Sequence, residues 1–159
     1  MIRYRQLATQ PSPEGHVLQD ACGVDGSQAA ERALESAIDW AKRYEAKLII
    51  LHVILQRLYA VTPTEAGVLT PTVFVSEMQA EGESIIKKAE QYASREGIDY
   101  ECKMVQGIPA YEIIKSAHAE VVDLVILGSR SLNEVRAFLF GSVSDRVSHR
   151  VKCPTLIVK

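Results

Sequence analysis

Asp123-Leu124-Val125-Ile126-Leu127 runs without a break into Gly128-Ser129-Arg130-Ser131, and this junction decides the fold. The run is short, β-branched and continuous rather than alternating. A continuous apolar strand is buried on both faces, the condition of a parallel sheet covered by helices. Lys47-Leu48-Ile49-Ile50-Leu51-His52-Val53-Ile54 has the same character. Further strands are expected at Tyr100 to Val105, at Thr155 to Val158 after Pro154, and at His16 to Val24. The last of these is interrupted by Gln19, Asp20 and Gly23.

Helical spacing fills the intervals. Ser27 is a good N-cap, and Ala30, Ala33, Leu34, Ala37, Ile38, Ala41 and Tyr44 then recur on one face. Met78, Ile85, Ile86, Ala89 and Ala93 mark a second helix ending near Gly97. A third starts around Pro109 and buries Ile113, Ile114 and Ala117. The last begins at Ser142, with Val143, Val147 and Val151 at i, i+4 and i+8. Leu55 to Val75 contains Pro63, Gly67 and Pro71 with no clear period, and reads as a long mobile loop. The order β-α-β-loop-α-β-α-β-α-β specifies an α/β domain: an open, doubly wound, five-stranded parallel sheet with helices on both faces. Such sheets bind ligands at the carboxyl ends of strands where strand order reverses.

The 159 residues fit one domain, residues 1–159, with 1–15 a poorly ordered lead-in. Hydrophobic residues at 47% and charged residues at 24% are ordinary for a globular chain. A net charge of -2 excludes broad attraction to nucleic acid or anionic membrane, so any anion site must be local. No apolar run approaches the ~20 residues of a membrane span, and the N-terminus lacks a signal-peptide core, so a cytoplasmic address is expected. Cys22, Cys102 and Cys153 form neither a disulfide framework nor a C-x-x-C motif. His16, His52, His118 and His149 lack metal-ligand spacing, and no metal site is expected.

Chemistry concentrates after two strands, at Asp25-Gly26-Ser27 and from Gly128 to Ser144. Gly128 and Gly141 can bring backbone amides close to a ligand, and Ser142 opens a helix whose free amides and dipole favour an anion. Ser142-x-x-Asp145 equally fits a capping box, and Arg130 and Arg136 equally fit solvated loop positions. Asp25 fits a turn-closing role as well as a ligand contact.

Five pieces in register give the chain a family likeness. They are Val24-Asp25-Gly26-Ser27 before Ala33-Leu34; Leu51-His52-Val53; Gly107-x-Pro109-x-x-Glu112-Ile113-Ile114; Asp123 to Ser129; and Gly141-Ser142-Val143-Ser144 leading to Cys153-Pro154-Thr155-Leu156-Ile157-Val158. Together they resemble a universal stress protein from about Val24 to the C-terminus. The resemblance implies an adenine nucleotide alpha hydrolase-like, Rossmann-like fold. Its ATP-binding branch has the pattern G-x2-G-x9-G-[ST], matched here by Gly128, Gly141 and Ser142, with Ser131 in place of the second glycine. If that position needs positive φ, serine costs roughly 1–2 kcal/mol, about tenfold in affinity, and its hydroxyl offers a partial replacement contact.

By resemblance, Asp25 lies near the ribose and backbone groups at Val53 meet adenine, although strand packing alone also accounts for Val53. Leu127 and Gly128 flank ribose and phosphates, and Gly141, Ser142, Val143 and Ser144 hold the phosphate chain of ATP or ADP, with Mg2+ carried on the nucleotide. The resemblance also implies a homodimer through the edge strand Thr155 to Val158. There is no G-x-x-x-x-G-K-[ST] loop and no placed general base, so the chain reads as a nucleotide-binding regulatory protein rather than an enzyme. The alternatives are a dimeric interaction protein with a vestigial site and, further off, a slow ATP hydrolase.

Overall fold

The first strand is where the sequence is most misleading. In the computed structural model, which describes residues 17–55, 71–129 and 141–159, Gln19–Gly23 forms β1 in the middle of the sheet. It pairs in parallel with β2 (Lys47–Leu55) on one side and β4 (Leu124–Gly128) on the other. Of the residues that interrupt its pattern, Asp20 is fully buried, and Gly23 has a packing reason: a Cβ there would come within 2.8 Å of Leu127 Cδ2 and 3.3 Å of Ile113 Cδ1.

α1 (Gln28–Tyr44) follows, with the Ser27 hydroxyl accepting from the Ala30 amide at 3.2 Å as its cap. Ala33, Leu34, Ala37, Ile38 and Ala41 are all buried. The three alanines in this stripe let the helix lie close to the sheet, while Trp40 stacks on Tyr44 with ring centroids 5.0 Å apart. The helix ends where Glu45 enters the left-handed region at φ 53° and its amide donates to the Ala41 carbonyl.

α2 spans Pro71–Glu96, so the expected loop from Leu55 to Val75 is too long at both ends. Leu55 is the last residue of β2, still registered with Gly107 of β3 (Tyr100–Gly107). Pro71 begins the helix rather than breaking it: a first-turn proline loses no hydrogen bond, and its fixed φ suits the helix. The central part of that segment, 56–70, and the lead-in 1–15 lie outside the described residues. α3 (Pro109–Ala119) again opens on proline, and α4 (Ser142–Ser148) precedes β5 (Thr155–Val158).

The strand order is β3-β2-β1-β4-β5, with every pair parallel. Alternate side chains feed two cores. Cys22, Leu48, Ile50, Leu124 and Ile126 pack under α1 and α2. Ala21, Ile49, Leu51, Val125 and Leu127 pack with Ile113 and Ala117 of α3 and Val147 of α4. The continuous runs are therefore buried on both faces, as their composition requires. β5 sits at one sheet edge and β3 at the other. β3 carries a charge ladder in which Glu101 bonds Lys47 at 2.6 Å and Lys103 bonds Glu120 at 2.5 Å. Charged edge residues of this kind discourage a further strand from adding there.

Candidate functional site

The order in which strands are added reverses between β1 and β4. From β1 the chain moves outward to β2 and β3, then returns across β1 to build β4 and β5. The carboxyl ends of β1 and β4 therefore open a crevice that no crossover covers. A cleft of about 210 Å³ lies there. Asp25, Val53, Leu127, Gly128, Gly141, Ser142, Val143 and Ser144 all line it, so residues spread over most of the chain meet in one place. Ser131, Arg130 and Arg136 lie outside the described residues.

The β1 side is built by a short relay. Asp25 is exposed at the rim, and its Oδ1 accepts from the Ser27 amide at 3.1 Å and the Ser27 hydroxyl at 2.6 Å. That hydroxyl in turn accepts from Ala30. Gly26 sits at φ 77°, the left-handed conformation that such a tight turn demands. Asp25 thus closes the turn and faces the cleft at once, so the two readings of this residue are compatible.

Gly128 has a different reason for being glycine from the one its sequence context suggests. A Cβ there would meet the backbone of α1, at 2.5 Å from both the Ala29 carbonyl carbon and oxygen and 2.8 Å from the Ala30 nitrogen. The absent side chain serves helix-to-strand packing first, and by drawing in the α1 N-terminus it shapes the cleft.

The α4 side corrects the capping box. Gly141 is the N-cap, with no side-chain cap bond, and Ser142 is already the first helical residue and exposed. The Gly141 carbonyl accepts from the Asp145 amide at 2.9 Å and from the Ser144 hydroxyl at 3.0 Å. Ser142 and Asp145 do not exchange cap bonds because the helix starts one residue earlier than a Ser142 cap would require. Gly141 itself, at φ -58° and ψ 147°, has a backbone any residue adopts. The amides of Ser142, Val143 and Ser144 are first-turn groups without intrahelical acceptors. Buried Ser144 spends its hydroxyl proton on Gly141, which leaves its amide, not its O–H, to face an anion.

Leu55, Ala29, Pro109 and Ile113 also line the cleft and were not anticipated as site residues. Pro109 and Ile113 carry ordinary helix-start and core signals. Only the rule that strand ends converge could have placed them here, since Pro109 follows the carboxyl end of β3. Among the described lining residues Asp25 is the one charged side chain, so anion affinity would rest on amides there. No group of three or more His, Cys, Asp or Glu side chains among the described residues is arranged to hold a metal ion. No described helix is long and apolar enough to cross a membrane. Burial pushes the Cys22 thiol up to about 12 and Cys102 to about 11, which makes both poor nucleophiles.

The model of the universal stress protein family matches residues 21–159. The chain belongs to the universal stress protein family. The universal stress protein YxiE of Bacillus subtilis is 34% identical over 140 residues, covering 86% of this chain and 95% of its own length. Among solved structures, universal stress protein UspA from Lactobacillus plantarum superposes with a TM-score of 0.71 at 22% identity, covering 91% of this chain and 99% of its own. A universal stress protein solved in complex with cAMP gives a TM-score of 0.68 at 27% identity, covering 89% and 97%. The five-stranded parallel sheet and the family resemblance expected from the sequence both stand.

Proposed function

We propose that this universal stress protein is an adenine-nucleotide-binding regulatory protein, with ATP or ADP held at the crevice between β1 and β4. One observation carries the reading. Asp25, Val53, the β4 end and the first turn of α4 line a single cleft at the switch point. Asp25 has acceptors for ribose hydroxyls, the end of β2 at Val53 offers backbone groups to adenine, and the amides of Ser142, Val143 and Ser144 take phosphate oxygens. Mg2+ carried on the nucleotide would supply positive charge to phosphates held by the amides of Ser142, Val143 and Ser144. The likeness to a relative that binds a cyclic adenine nucleotide supports the choice of base. No described lining residue is a placed general base for an attacking water, which favours binding over turnover.

Nucleotide extracted from freshly purified protein and identified by mass spectrometry tests this directly. Saturation at 100 times Kd is expected to add about 2.7 kcal/mol, which raises the melting temperature by roughly 5–10 °C. Absence of both bound nucleotide and any shift in millimolar Mg-ATP would reject it. We further propose a cytoplasmic, two-fold dimer paired along the edge strand β5. Sedimentation at tens of micromolar is expected to give twice the chain mass, and a monomer alone would exclude the edge pairing.

A further inference from the structure

We propose that His52 is a positioning residue for the cleft, acting from the opposite face of the sheet. The inference rests on the nucleotide-site reading for its affinity arm and on geometry alone for its structural arm. His52 and Val53 are consecutive in β2 and point to opposite faces. Val53 packs with the α3 and α4 core and lines the cleft. His52 is buried, and its Nδ1 lies 2.8 Å from the Val24 carbonyl oxygen. A carbonyl only accepts, so Nδ1 carries the proton in this bond.

Val24 is the last residue tied to β2 before the chain turns into Asp25-Gly26-Ser27. Its amide donates to the Leu51 carbonyl at 2.9 Å, and its carbonyl accepts from the side chain of the very next residue, His52. The ladder register of β1 and β2 runs out at Gly23 and Leu51. Beyond it the ring supplies the hydrogen bond that a further strand residue would otherwise make, and Val24 is buried, so water is a poor substitute. The peptide that His52 holds is the one that leads into Asp25.

The ring is also fixed from behind. Gly82, inside α2, faces it: a Cβ there would stand 2.9 Å from His52 Cδ2, 3.1 Å from Nε2 and 3.0 Å from Met104 Sδ. A helix-interior glycine is destabilising relative to alanine, and here it makes the room the imidazole needs. A contiguous path thus runs from α2 through the ring and the Val24 carbonyl to the turn that carries Asp25.

The test compares His52→Leu, His52→Asn and Gly82→Ala in the full chain, well below their melting temperatures. Amide exchange at Val24 and Ser27 and the Kd for Mg-ATP are the readouts. His52→Leu removes the donor and is expected to speed exchange at both amides and weaken Mg-ATP about tenfold, while α3 amides keep wild-type rates. His52→Asn, whose Nδ2 can donate in place of Nδ1, restores most of both. Gly82→Ala displaces the ring and gives an intermediate change despite its better helix propensity. If His52→Leu stays folded with wild-type exchange at Val24 and Ser27, the proposal is overturned. Exchange that quickens equally throughout the chain also overturns it, since that marks a general loss of stability. Should His52→Leu not fold, Gly82→Ala decides by the same two amides. A wild-type protein that binds no adenine nucleotide rejects the nucleotide reading, and the exchange arm still decides the role of His52.

Discussion

Gly128→Ala is expected to lower the unfolding free energy by about 2–3 kcal/mol, the range for overpacking a site that cannot relax. The added methyl would sit 2.5 Å from the Ala29 carbonyl carbon and oxygen, and those are backbone atoms of α1. No rotamer change removes such a clash; the helix must move off β4. Its first turn is held by the Ser27 cap and its C-terminal half by the buried Ala37, Ile38 and Ala41, so displacement disturbs both ends of the packing. At this chain length the loss corresponds to a fall of roughly 5–10 °C in melting temperature, measurable by calorimetry. Gly23→Ala is the matched control. Its methyl would meet the tips of Leu127 and Ile113, flexible side chains able to yield, so a smaller loss is expected. Equal melting temperatures for Gly128→Ala and wild type would show that α1 does not depend on this glycine.

This contrast explains which parts of the molecule were legible in the sequence. Signals confined to a few neighbouring residues read correctly. Ser27 caps α1 because a hydroxyl three residues before a free amide needs nothing else. Ile49, Ile50, Val125 and Ile126 announce two-sided burial through composition alone, and all are fully buried. Signals that depend on a distant partner did not read. Gly23 looks like an interruption until Leu127 of β4 and Ile113 of α3 are in place against it. Pro71 looks like a loop residue unless the helix after it is known to start there. The capping-box spacing of Ser142 and Asp145 is real as a pattern, but the helix begins one residue out of phase with it.

The site divides in the same way. Asp25 and Gly128 stood out because polar or glycine residues where a buried strand ends have few core explanations, and Gly141 to Ser144 stood out as a glycine opening a helix. Pro109 and Ile113 were hidden among residues with sufficient structural roles of their own. Gly128 lines the cleft, and its missing side chain is explained by the backbone of Ala29 and Ala30.

The second large effect is expected at Asp25, where one carboxylate is assigned two tasks that a single substitution can separate. Asparagine keeps a side-chain oxygen able to accept from the Ser27 amide and hydroxyl, so Asp25→Asn preserves the turn and should melt within about 2 °C of wild type. It removes the charge that strengthens bonds from ribose hydroxyls, and hydrogen bonds to ionised acceptors are roughly twice as strong as neutral ones. Mg-ATP affinity by titration calorimetry is therefore expected to fall about ten- to thirtyfold. A cycle with the 2′-deoxy nucleotide sharpens the result. If Asp25 accepts from the 2′-hydroxyl, removing that hydroxyl weakens wild type strongly and Asp25→Asn less, because both changes act on the same contact. Losses that simply multiply would place the carboxylate away from the 2′-hydroxyl. Wild-type affinity in Asp25→Asn would reduce Asp25 to its turn-closing role and leave the phosphate-facing amides of α4 as the principal contacts in the cleft.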